Sequence, residues 1–353
     1  MNKYIPEKIG ALEEYRPDTS YRKIRLDANE SPFLMTGKVK EAAEKAASDL
    51  LSNRYPDPYA KKLISAFSEA YGAEYDNVVA GNGSDELISL IFTAFVNPGD
   101  KIVVTAPDFS MYAFYAELCG AEIVKYRKND ANEIDFNELE ELIKKENAKL
   151  VIFSNPCNPT GRAYPATTVA KFASSVDCIV ISDEAYGEFC EKNITVMDLA
   201  AKRENLIVLK TLSKAFGMAS LRVGFAVTNT EMASALRKVK SPYNLSTFSQ
   251  DMGAIALSAA RDVFRVARDI GRRAKLLKTE LEMLFGDTAK VFDTDANFVF
   301  IDVLDDERAK NIQLSLAEAS IAIRRMNGRF LRITCGSPEE NTCLIEALAK
   351  IIS

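Results

Sequence analysis

Five short segments combine charged, hydroxyl or amide side chains with small residues, and each follows a short apolar run: residues 81–86, 154–161, 181–186, 211–217 and 221–224. Ligands bind outside the carboxyl ends of the strands in an open α/β sheet, so segments in these positions are expected to converge. Lys214 lies among small and apolar residues in the fourth segment, which suits a lysine used as an amine nucleophile. Arg222 follows eight residues later and offers a guanidinium that pairs well with phosphate.

Each segment also has a plainer explanation. Ser84 and Asp85 are residue types that cap a helix, a surface turn accounts for Glu184, and a lysine after a strand is usually solvated. Asp183 is harder to explain, because an acid that ends a buried strand is costly without a positive partner. Two X-Pro steps indicate a fixed loop that presents Asn158, although a bare connection is the alternative.

The composition excludes several mechanisms. The 353 residues include no histidine, and 45 Lys+Arg against 50 Asp+Glu give a formal net charge of −5. The absence of histidine excludes Ser-His and Cys-His couples and histidine metal ligands, and we expect no metal site. Proton transfer must fall to Lys, Asp/Glu, Tyr or Cys. The mild acidity predicts neither a nucleic-acid partner nor an anionic membrane partner.

Hydropathy and cysteine usage predict a cytoplasmic location. The longest apolar stretch, residues 87–96, is about half as long as a membrane span. The first residues show no apolar signal region, so we expect no export. The six cysteines are scattered and form no Cys-x-x-Cys pair, which is typical of reduced thiols that pack inside a cytosolic protein.

The elements that must position the five segments alternate between short strands and amphipathic helices from about residue 75 to residue 230. Residues 85–96, for example, carry a single apolar stripe at helical spacing. Short apolar runs predict strands at 77–80, 101–105, 122–125, 149–153, 178–182, 206–209 and 223–227. Most of them are near-continuous in Val, Ile and Leu, as strands buried on both faces should be. This alternation predicts an α/β fold with a mainly parallel sheet covered on both faces.

The pattern changes after about residue 240. Apolar residues three or four apart predict one long helix over 263–284 that ends near Gly286. A Ser-Pro-Glu-Glu sequence at 337–340 predicts a capped helix start. The remaining predicted elements are strands over 298–303 and 330–334 and helices over 307–319 and 338–352.

These elements predict two domains and an arm. We expect a large α/β domain over residues 31–245 and a small α+β domain over residues 246–353, bridged by the long helix. Residues 1–30 are polar and irregular, so we interpret them as an arm rather than a core element. Part of this arm is expected to pack with the small domain.

The order of the five segments resembles the fold-type I, class II pyridoxal-phosphate aminotransferases. Three further motifs are similar to the histidinol-phosphate branch of that family: Leu-Asp-Ala-Asn-Glu-Ser-Pro at 26–32, Arg-Tyr-Pro-Asp-Pro at 54–58 and Phe-Leu-Arg-Ile-Thr-Cys-Gly at 330–336. The resemblance covers essentially the whole chain. It implies the two-domain fold of that family and pyridoxal 5′-phosphate as the cofactor.

The resemblance implies a role for each residue of the five segments. Lys214 is expected to form the Schiff base with the cofactor and to carry the proton, and Asp183 to pair with the pyridinium nitrogen. Asn158 and Tyr186 are expected to hydrogen-bond the ring hydroxylate, with Tyr186 counted among the catalytic residues. The cofactor phosphate is expected to contact Ser84, Asp85, Thr211, Ser213 and Arg222.

Ring stacking is expected from Phe109, in a motif where this sequence departs from the family. The family usually has Thr at the position of Asp108 and often Tyr at the position of Phe109. Cys157 likewise stands where the family often has Asn, and we assign it no role.

The resemblance also implies a shared site and a set of substrate contacts. Tyr55 is expected to reach the cofactor phosphate of a partner subunit, which predicts a homodimer. Arg332 is expected to grip the α-carboxylate of glutamate and 2-oxoglutarate, as a bidentate fork suits. Arg324 and Tyr15 are expected to bind the substrate phosphate, and Asn29 to contact substrate from the arm.

The expected activity is transamination between histidinol phosphate and 2-oxoglutarate in histidine biosynthesis. Two alternatives share these motifs, namely a decarboxylase of a phosphorylated amino acid such as threonine phosphate and an aromatic amino-acid aminotransferase. A ligand-sensing regulator with such a domain would need a basic DNA-binding module, which we do not find. A nicotinamide-dependent dehydrogenase is disfavoured, because residues 81–86 lack the third glycine of the dinucleotide fingerprint.

Overall fold

The computed structural model describes residues 4–10, 14, 20–33 and 37–352. Over this part of the chain the strands are β1 (Ile24–Leu26), β2 (Val78–Asn82), β3 (Lys101–Ala106), β4 (Glu122–Arg127), β5 (Leu150–Ser154), β6 (Ile179–Asp183), β7 (Leu206–Thr211), β8 (Val223–Val227), β9 (Lys290–Val291), β10 (Phe298–Asp302), β11 (Ile321–Arg325) and β12 (Phe330–Thr334). The helices are α1 (Glu7–Gly10), α2 (Gly37–Ser48), α3 (Lys61–Tyr71), α4 (Gly83–Phe95), α5 (Met111–Leu118), α6 (Phe136–Glu146), α7 (Ala166–Ser175), α8 (Met197–Ala200), α9 (Thr230–Val239), α10 (Thr247–Ser258), α11 (Ala260–Phe285), α12 (Asp306–Glu318) and α13 (Pro338–Ile352).

The larger sheet has the strand order β2-β8-β7-β6-β5-β3-β4 among the described residues. The five strands from β7 to β4 run parallel, and β8 is antiparallel to both of its neighbours. All seven strands predicted from the Val/Ile/Leu runs are present, with ends that differ by at most two residues. The predicted α/β class with a mainly parallel central sheet is therefore confirmed.

Alternate side chains of these strands enter two different cores. In β5, Val151 and Phe153 belong to one apolar cluster, whereas Leu150 and Ile152 belong to the other. Helices cover both faces, so a strand without polar residues is buried on both sides. Helix α4 joins the second cluster through residues such as Leu87, and this packing anchors the loop that precedes it.

The smaller sheet has the order β1-β11-β12-β10-β9 in the described part of the chain. β1 pairs in parallel with β11, joining Ile24 to Ile321 in register, and Leu26 is 1% exposed. The interpretation of residues 1–30 as wholly irregular is therefore wrong at 24–26. Three residues are too few to show a period, and the partner strand lies almost 300 residues away.

Several predictions for the second half of the chain are confirmed. α11 ends at Gly286, which has a φ of 51°, a left-handed conformation that glycine tolerates best. The start of α13 has the reciprocal capping box, because Ser337 N donates to Glu340 Oε2 at 2.8 Å and Glu340 N donates to Ser337 Oγ at 3.2 Å. The domain limits at residues 30/31 and 245/246 stay a prediction.

No helix in the described part of the chain combines the length and the apolar composition that crossing a bilayer requires.

Candidate active site

The carboxyl ends of three neighbouring strands bring the predicted segments together. The register pairs Ser154 of β5 with Asp183 of β6, and Asp183 with Leu209 of β7. The loop after β5 is tied to β6 by Asn155 N, which donates to Asp183 O at 2.7 Å. Lys214, which follows β7, lies with Nζ 5.7 Å from the centre of the Tyr186 ring. The predicted convergence at this edge of the sheet is present.

Lys214 has an unusual environment for a partly buried lysine. Its Nζ donates to Ala28 O at 2.9 Å. Among the described residues, no carboxylate lies within ion-pair distance of this amine. An amine that is not held in an ion pair stays available to act as a nucleophile.

Asp183 is a buried carboxylate that lacks a cationic partner within the described part of the chain. Its Oδ2 accepts from Tyr112 Oη at 2.7 Å, and its Oδ1 accepts from Ala185 N at 3.1 Å. Burial raises the pKa of this carboxyl to about 6, while the hydrogen bond from Tyr112 opposes the rise. A positively charged ligand atom placed beside Asp183 would restore the missing charge balance.

Tyr112 is the site residue that the sequence analysis missed. It is fully buried, and its ring meets that of Phe109 edge to face with centroids 5.5 Å apart. The available signal was its position three residues after Phe109, since such a spacing brings two side chains together at a helix start. A buried tyrosine also needs a partner for its hydroxyl, and here that partner is Asp183.

A second cluster forms where α4 begins. Arg222 Nη2 donates to Asp85 Oδ2 at 3.0 Å, and Nη1 donates to Ser213 Oγ at 3.4 Å. Thr211 Oγ1 lies 3.0 Å from Ser213 Oγ. The first N–H groups of α4, including that of Ser84, have no intrahelical partner. Hydroxyls, a guanidinium and a helix N-terminus together favour an anion such as a phosphate.

Two glycines make room for this cluster. A Cβ on Gly83, whose φ is 77°, would lie 2.5 Å from Arg222 Nη2, and a Cβ on Gly224 would lie 2.5 Å from Ser84 N. Arg222 itself has a φ of 53°, a conformation that costs energy for a side chain of this size. The space kept clear and the strained arginine show that the residues present fit a phosphate group.

The capping explanation for Ser84 and Asp85 is wrong. α4 begins at Gly83, and its preceding residue Asn82 makes no side-chain cap. The carboxylate that caps this end belongs to Glu86, whose Oε2 accepts from Asn82 N at 2.5 Å. Asp85 instead pairs with Arg222.

The surface-turn explanation for Glu184 is also wrong. Glu184 is 0% exposed, and its carboxylate lies 3.1 Å from Lys210 Nζ. Lys210 also pairs with Glu188 at 3.1 Å. Glu184 and Asp183 have different environments, since Glu184 meets Lys210 whereas Asp183 meets the hydroxyl of Tyr112.

Arg332 is buried and contacts both the loop after β5 and the N-terminal segment. Its Nη1 donates to Asn158 Oδ1 at 2.5 Å and its Nη2 to Asp27 O at 2.6 Å. Asn29 is also buried, and its Nδ2 donates to Tyr186 Oη at 3.0 Å. Residues 27–29 thus contact Arg332, Lys214 and Tyr186, so the N-terminal segment forms one wall of the site. The substrate contact predicted for Asn29 stays a prediction.

The register of the small sheet distinguishes Arg324, predicted to bind the substrate phosphate, from its neighbours Arg325 and Arg329. Arg324 is the direct partner of Arg332 across the β11–β12 pair, so their side chains share one face. Arg325 is one residue on and faces the other side, and Arg329 Nε is paired with Asp302 at 2.9 Å. Tyr15 lies outside the described residues.

Tyr55 stands apart from the other predicted residues. It is 82% exposed, and its ring stacks on that of Tyr243 with centroids 4.6 Å apart. Within the described residues, no hydrogen bond, ion pair or ring contact joins Tyr55 to Lys214, Asp183 or Arg222. Its role in the site of a second subunit stays a prediction.

The α/β fold and this edge of the sheet define a class of protein, and comparison with known proteins identifies it. The chain belongs to the aminotransferase class I and II family, whose sequence pattern matches residues 21–348. The predicted fold-type I family is therefore confirmed, and the chain is a transaminase by family.

The most similar relatives include proteins named histidinol-phosphate aminotransferase. That of Clostridium novyi is 40% identical over 332 residues, covering 92% of this chain and 91% of the relative. That of Clostridium kluyveri is 36% identical and covers 100% of this chain and 97% of the relative. A solved structure of histidinol-phosphate aminotransferase from Sinorhizobium meliloti in complex with pyridoxal-5′-phosphate has a TM-score of 0.90 and 25% identity, over 100% of this chain and 98% of that one.

Proposed function

We propose that this protein uses pyridoxal 5′-phosphate to transfer an amino group between histidinol phosphate and 2-oxoglutarate, giving imidazole-acetol phosphate and glutamate. The observation that carries the proposal is the pair Arg324 and Arg332, which share one face of the small sheet, while Arg332 contacts Asn158 of the main site. Relatives across nearly the full chain bear the name of this activity. The step belongs to histidine biosynthesis.

The residues present account for each part of the cofactor. The phosphate group would lie against Arg222, Ser213, Thr211 and the N-terminus of α4, which form the anion cradle. Asp183 would face the ring nitrogen and Phe109 the ring plane, while Asn158 and Tyr186 would lie at the ring hydroxyl. When bound, pyridoxal phosphate supplies a carbonyl that condenses with amines and a ring that accepts an electron pair.

Lys214 is the residue that handles the proton in this proposal. As a neutral amine it binds the cofactor carbonyl, and once substrate replaces it, its Nζ takes the proton from the substrate Cα. The carboxylate of Asp183 keeps the ring nitrogen protonated, because its own burial makes a neighbouring positive charge favourable. No imidazole of the protein takes part, since the sequence contains no histidine.

Two arginines on one face suit substrates that carry different anions. Arg332 offers a planar fork that matches the α-carboxylate of glutamate or 2-oxoglutarate. Arg324 lies on the adjacent strand at the spacing of a cross-strand pair, where it would meet the phosphate of histidinol phosphate. A transaminase must accept both substrates in one site, and a pair of arginines provides a cation for each.

Steady-state assays with purified protein test the proposal. Histidinol phosphate, phenylalanine, tyrosine and threonine phosphate are offered as donors, with 2-oxoglutarate as acceptor, while cofactor absorbance is followed. We expect the highest kcat/KM with histidinol phosphate and turnover that requires the oxo-acid. Release of CO₂ from threonine phosphate without an oxo-acid would contradict the proposal. A higher kcat/KM with tyrosine would show that an aromatic amino acid, rather than histidinol phosphate, is the amino donor.

We further propose that the protein is a homodimer in which Tyr55 completes the site of the other subunit. Support comes from exposed apolar side chains beside Tyr55: Tyr243, whose ring stacks on it and is 46% exposed, and Leu51, which lines the same groove and is 68% exposed. Large apolar side chains exposed together mark interaction surfaces. A hydroxyl on Tyr55 could reach across such an interface to the partner's anion cradle.

Subunit mixing tests the shared site. Tyr55→Phe and Lys214→Ala homodimers should each have low activity, and random exchange should restore about a quarter of the wild-type sites, because one site of each mixed dimer is intact. If Tyr55 acted in its own subunit, mixing would restore nothing. Light scattering on the wild-type protein checks the dimer itself.

The proposal includes a cytoplasmic location. Cys157, Cys178 and Cys335 are buried as thiols, the form that persists in a reducing compartment. Cell fractionation with an antibody against the native protein would test it.

A further inference from the structure

Asp108 and Cys157, the two departures from the aminotransferase pattern, meet at one buried lysine. Lys128 Nζ lies 3.1 Å from Asp108 Oδ2 and 2.9 Å from Cys157 Sγ, and it donates to Pro107 O at 2.8 Å. The side chains of Lys128 and Asp108 are 0% and 1% exposed. All three donors of the ammonium are therefore used inside the protein.

The Asp108 carboxylate collects donors from several strand ends. Its Oδ1 accepts from Phe109 N at 2.9 Å and from Ser154 Oγ in a short hydrogen bond. Its Oδ2 accepts from Thr105 Oγ1 at 2.6 Å in addition to Lys128. Thr105 belongs to β3, Ser154 to β5, and Lys128 follows β4. One carboxylate thus connects the ends of three adjacent strands.

This network continues directly into the active site. Ser154 Oγ, which donates to Asp108, accepts from Asn158 N at 3.0 Å. Asp108 also holds the backbone of Phe109, whose ring contacts Tyr112, the partner of Asp183. The residues expected at the ring face and the ring hydroxyl are therefore both attached to Asp108 within two hydrogen bonds.

The charges of the cluster favour an ion pair and a neutral thiol. Burial, the largest single effect, would lower the pKa of Lys128, but Asp108, Cys157 and Tyr164 together raise it. Burial, followed by the Asp108 charge, raises the pKa of the Cys157 thiol. Removing only one member of the pair would leave a buried charge without its partner.

We propose that Asp108 and Lys128 act as a positioning pair that fixes Phe109 and Asn158 against the cofactor ring. Neither side chain touches the cofactor in this assignment, which rests on the proposed binding of pyridoxal phosphate. The physical reason is geometric: two loops after different strands must present a ring and an amide in one orientation, and a shared carboxylate removes their independent motion.

The test compares wild-type protein with Asp108→Asn/Lys128→Met. The double variant removes both charges, so it avoids the unpaired buried charge that each single variant creates. We expect it to fold, with an apo-protein unfolding curve near that of the wild type. We expect its dissociation constant for pyridoxal phosphate to rise about tenfold or more, and its kcat at saturating cofactor to fall about 10²-fold with little change in KM.

Two further variants separate positioning from loss of stability. Lys101→Met removes the Lys101–Glu146 pair, 2.7 Å long, at the opposite end of β3, and it should leave cofactor affinity unchanged. Ser154→Ala breaks the connection between Asp108 and Asn158 and keeps the ion pair, so it should shift the pH titration of the bound cofactor's visible absorbance. A variant that only lost stability would leave that titration unmoved.

The outcomes distinguish this assignment from the proposed function. If the wild type binds no pyridoxal phosphate, the proposed function is wrong and the positioning role is wrong with it. If the wild type binds it and the folded double variant matches its affinity within twofold and its absorbance titration, only the positioning role is wrong. An equal loss of affinity in Lys101→Met would likewise overturn it.

Discussion

Two lysines four residues apart, Lys210 and Lys214, lie in regions of opposite character. Lys210 is 4% exposed and pairs with Glu184 and Glu188, whereas Lys214 contacts a backbone carbonyl. Their acidic neighbours differ in the same way, since Glu184 has its cation and Asp183 has none among the described residues. One region completes its own charges, and the other leaves an amine and a carboxylate for a ligand to complete. In the proposed function, the region with missing counter-charges is the one that binds the cofactor.

The largest expected effect distinguishes the two lysines by chemistry. Lys214→Ala should lower turnover by about 10⁴-fold or more and abolish covalent retention of pyridoxal phosphate after borohydride treatment. Mass spectrometry of the treated protein measures the retention. Lys210→Met is the matched variant and should keep covalent retention at Lys214. If borohydride still traps the cofactor in Lys214→Ala, another amine is the nucleophile and the contrast drawn between Lys214 and Lys210 is wrong.

The next effect concerns the closed region, the cluster of Lys210, Glu184 and Glu188 whose charges are paired with one another. Lys210→Met should lower the free energy of unfolding by about 3–5 kcal/mol, because two buried carboxylates lose their cation. Urea denaturation of the apo-protein at neutral pH measures this change. Lys214→Ala, measured in parallel, should change the same quantity far less. Equal destabilisation by both variants would show that Lys214 is as tightly paired as Lys210.

A third effect appears in the open region, where Lys214 and Asp183 have no counter-charge among the described residues. It is a pH dependence of apo-protein stability. Burial raises the pKa of Asp183 to about 6, above its unfolded value near 3.9. The native state then holds the proton while the unfolded state has lost it, so apo-protein stability falls as pH rises from about 4 to about 6. Asp183→Asn cannot titrate, so its stability relative to the wild type should improve by roughly 3 kcal/mol across that window.

Unfolding curves of both apo-proteins at pH 4 and pH 7 measure this difference. The variant is compared with the wild type at both pH values. Any stability that Asp183→Asn loses through a weaker hydrogen bond to Tyr112 or Ala185 is the same at pH 4 and pH 7, so it cancels from the difference. Pyridoxal phosphate should stabilise the wild type at pH 7 and stabilise Asp183→Asn much less, since the variant offers no charge to the ring nitrogen. A pH-independent difference would show that Asp183 is already paired.

The smallest effect tests how complete the closed region is. Tyr71 Oη donates to Glu188 Oε1 at 2.8 Å, and Glu188→Gln keeps an oxygen to accept this bond. Because Glu184 still faces Lys210, we expect a loss of only about 1 kcal/mol and unchanged affinity for pyridoxal phosphate. Urea denaturation and a cofactor titration measure the two quantities. A large loss of affinity would make this cluster part of the site.

Sequence patterns accounted for most of the fold because strand and helix signals are local. The seven strands of the large sheet and the long helix α11 follow from runs and spacings within single segments. β1 and β9 were not predicted, because strands of three and two residues are too short to show a period. β11 was not predicted either, although its buried Ile321 and Ile323 alternate as in a strand. Local patterns also missed the burial of Glu184, which depends on Lys210 in the next strand.

The residues of the candidate site also fall into those with a signal in the local sequence and those that depend on distant contacts. The types of Lys214, Asp183 and Arg222 and the order of their segments identified the family from sequence. Tyr112, the wall formed by residues 27–29 and the facing positions of Arg324 and Arg332 emerged only from three-dimensional contacts. These contacts join residues far apart in the chain, and no local pattern records which of them meet.

The sequence by itself determined which chemistry is open to this protein. With no histidine, it requires a lysine, carboxylate, tyrosine or cysteine to move protons, and segment order directs that task to Lys214. The tertiary structure decided which charges are already paired. Asp183 is the last residue of β6 and Glu184 the first residue after it, yet Asp183 meets a tyrosine hydroxyl and Glu184 meets Lys210. Both partners come from other elements of the fold, so only tertiary packing decides which carboxylate has a cation.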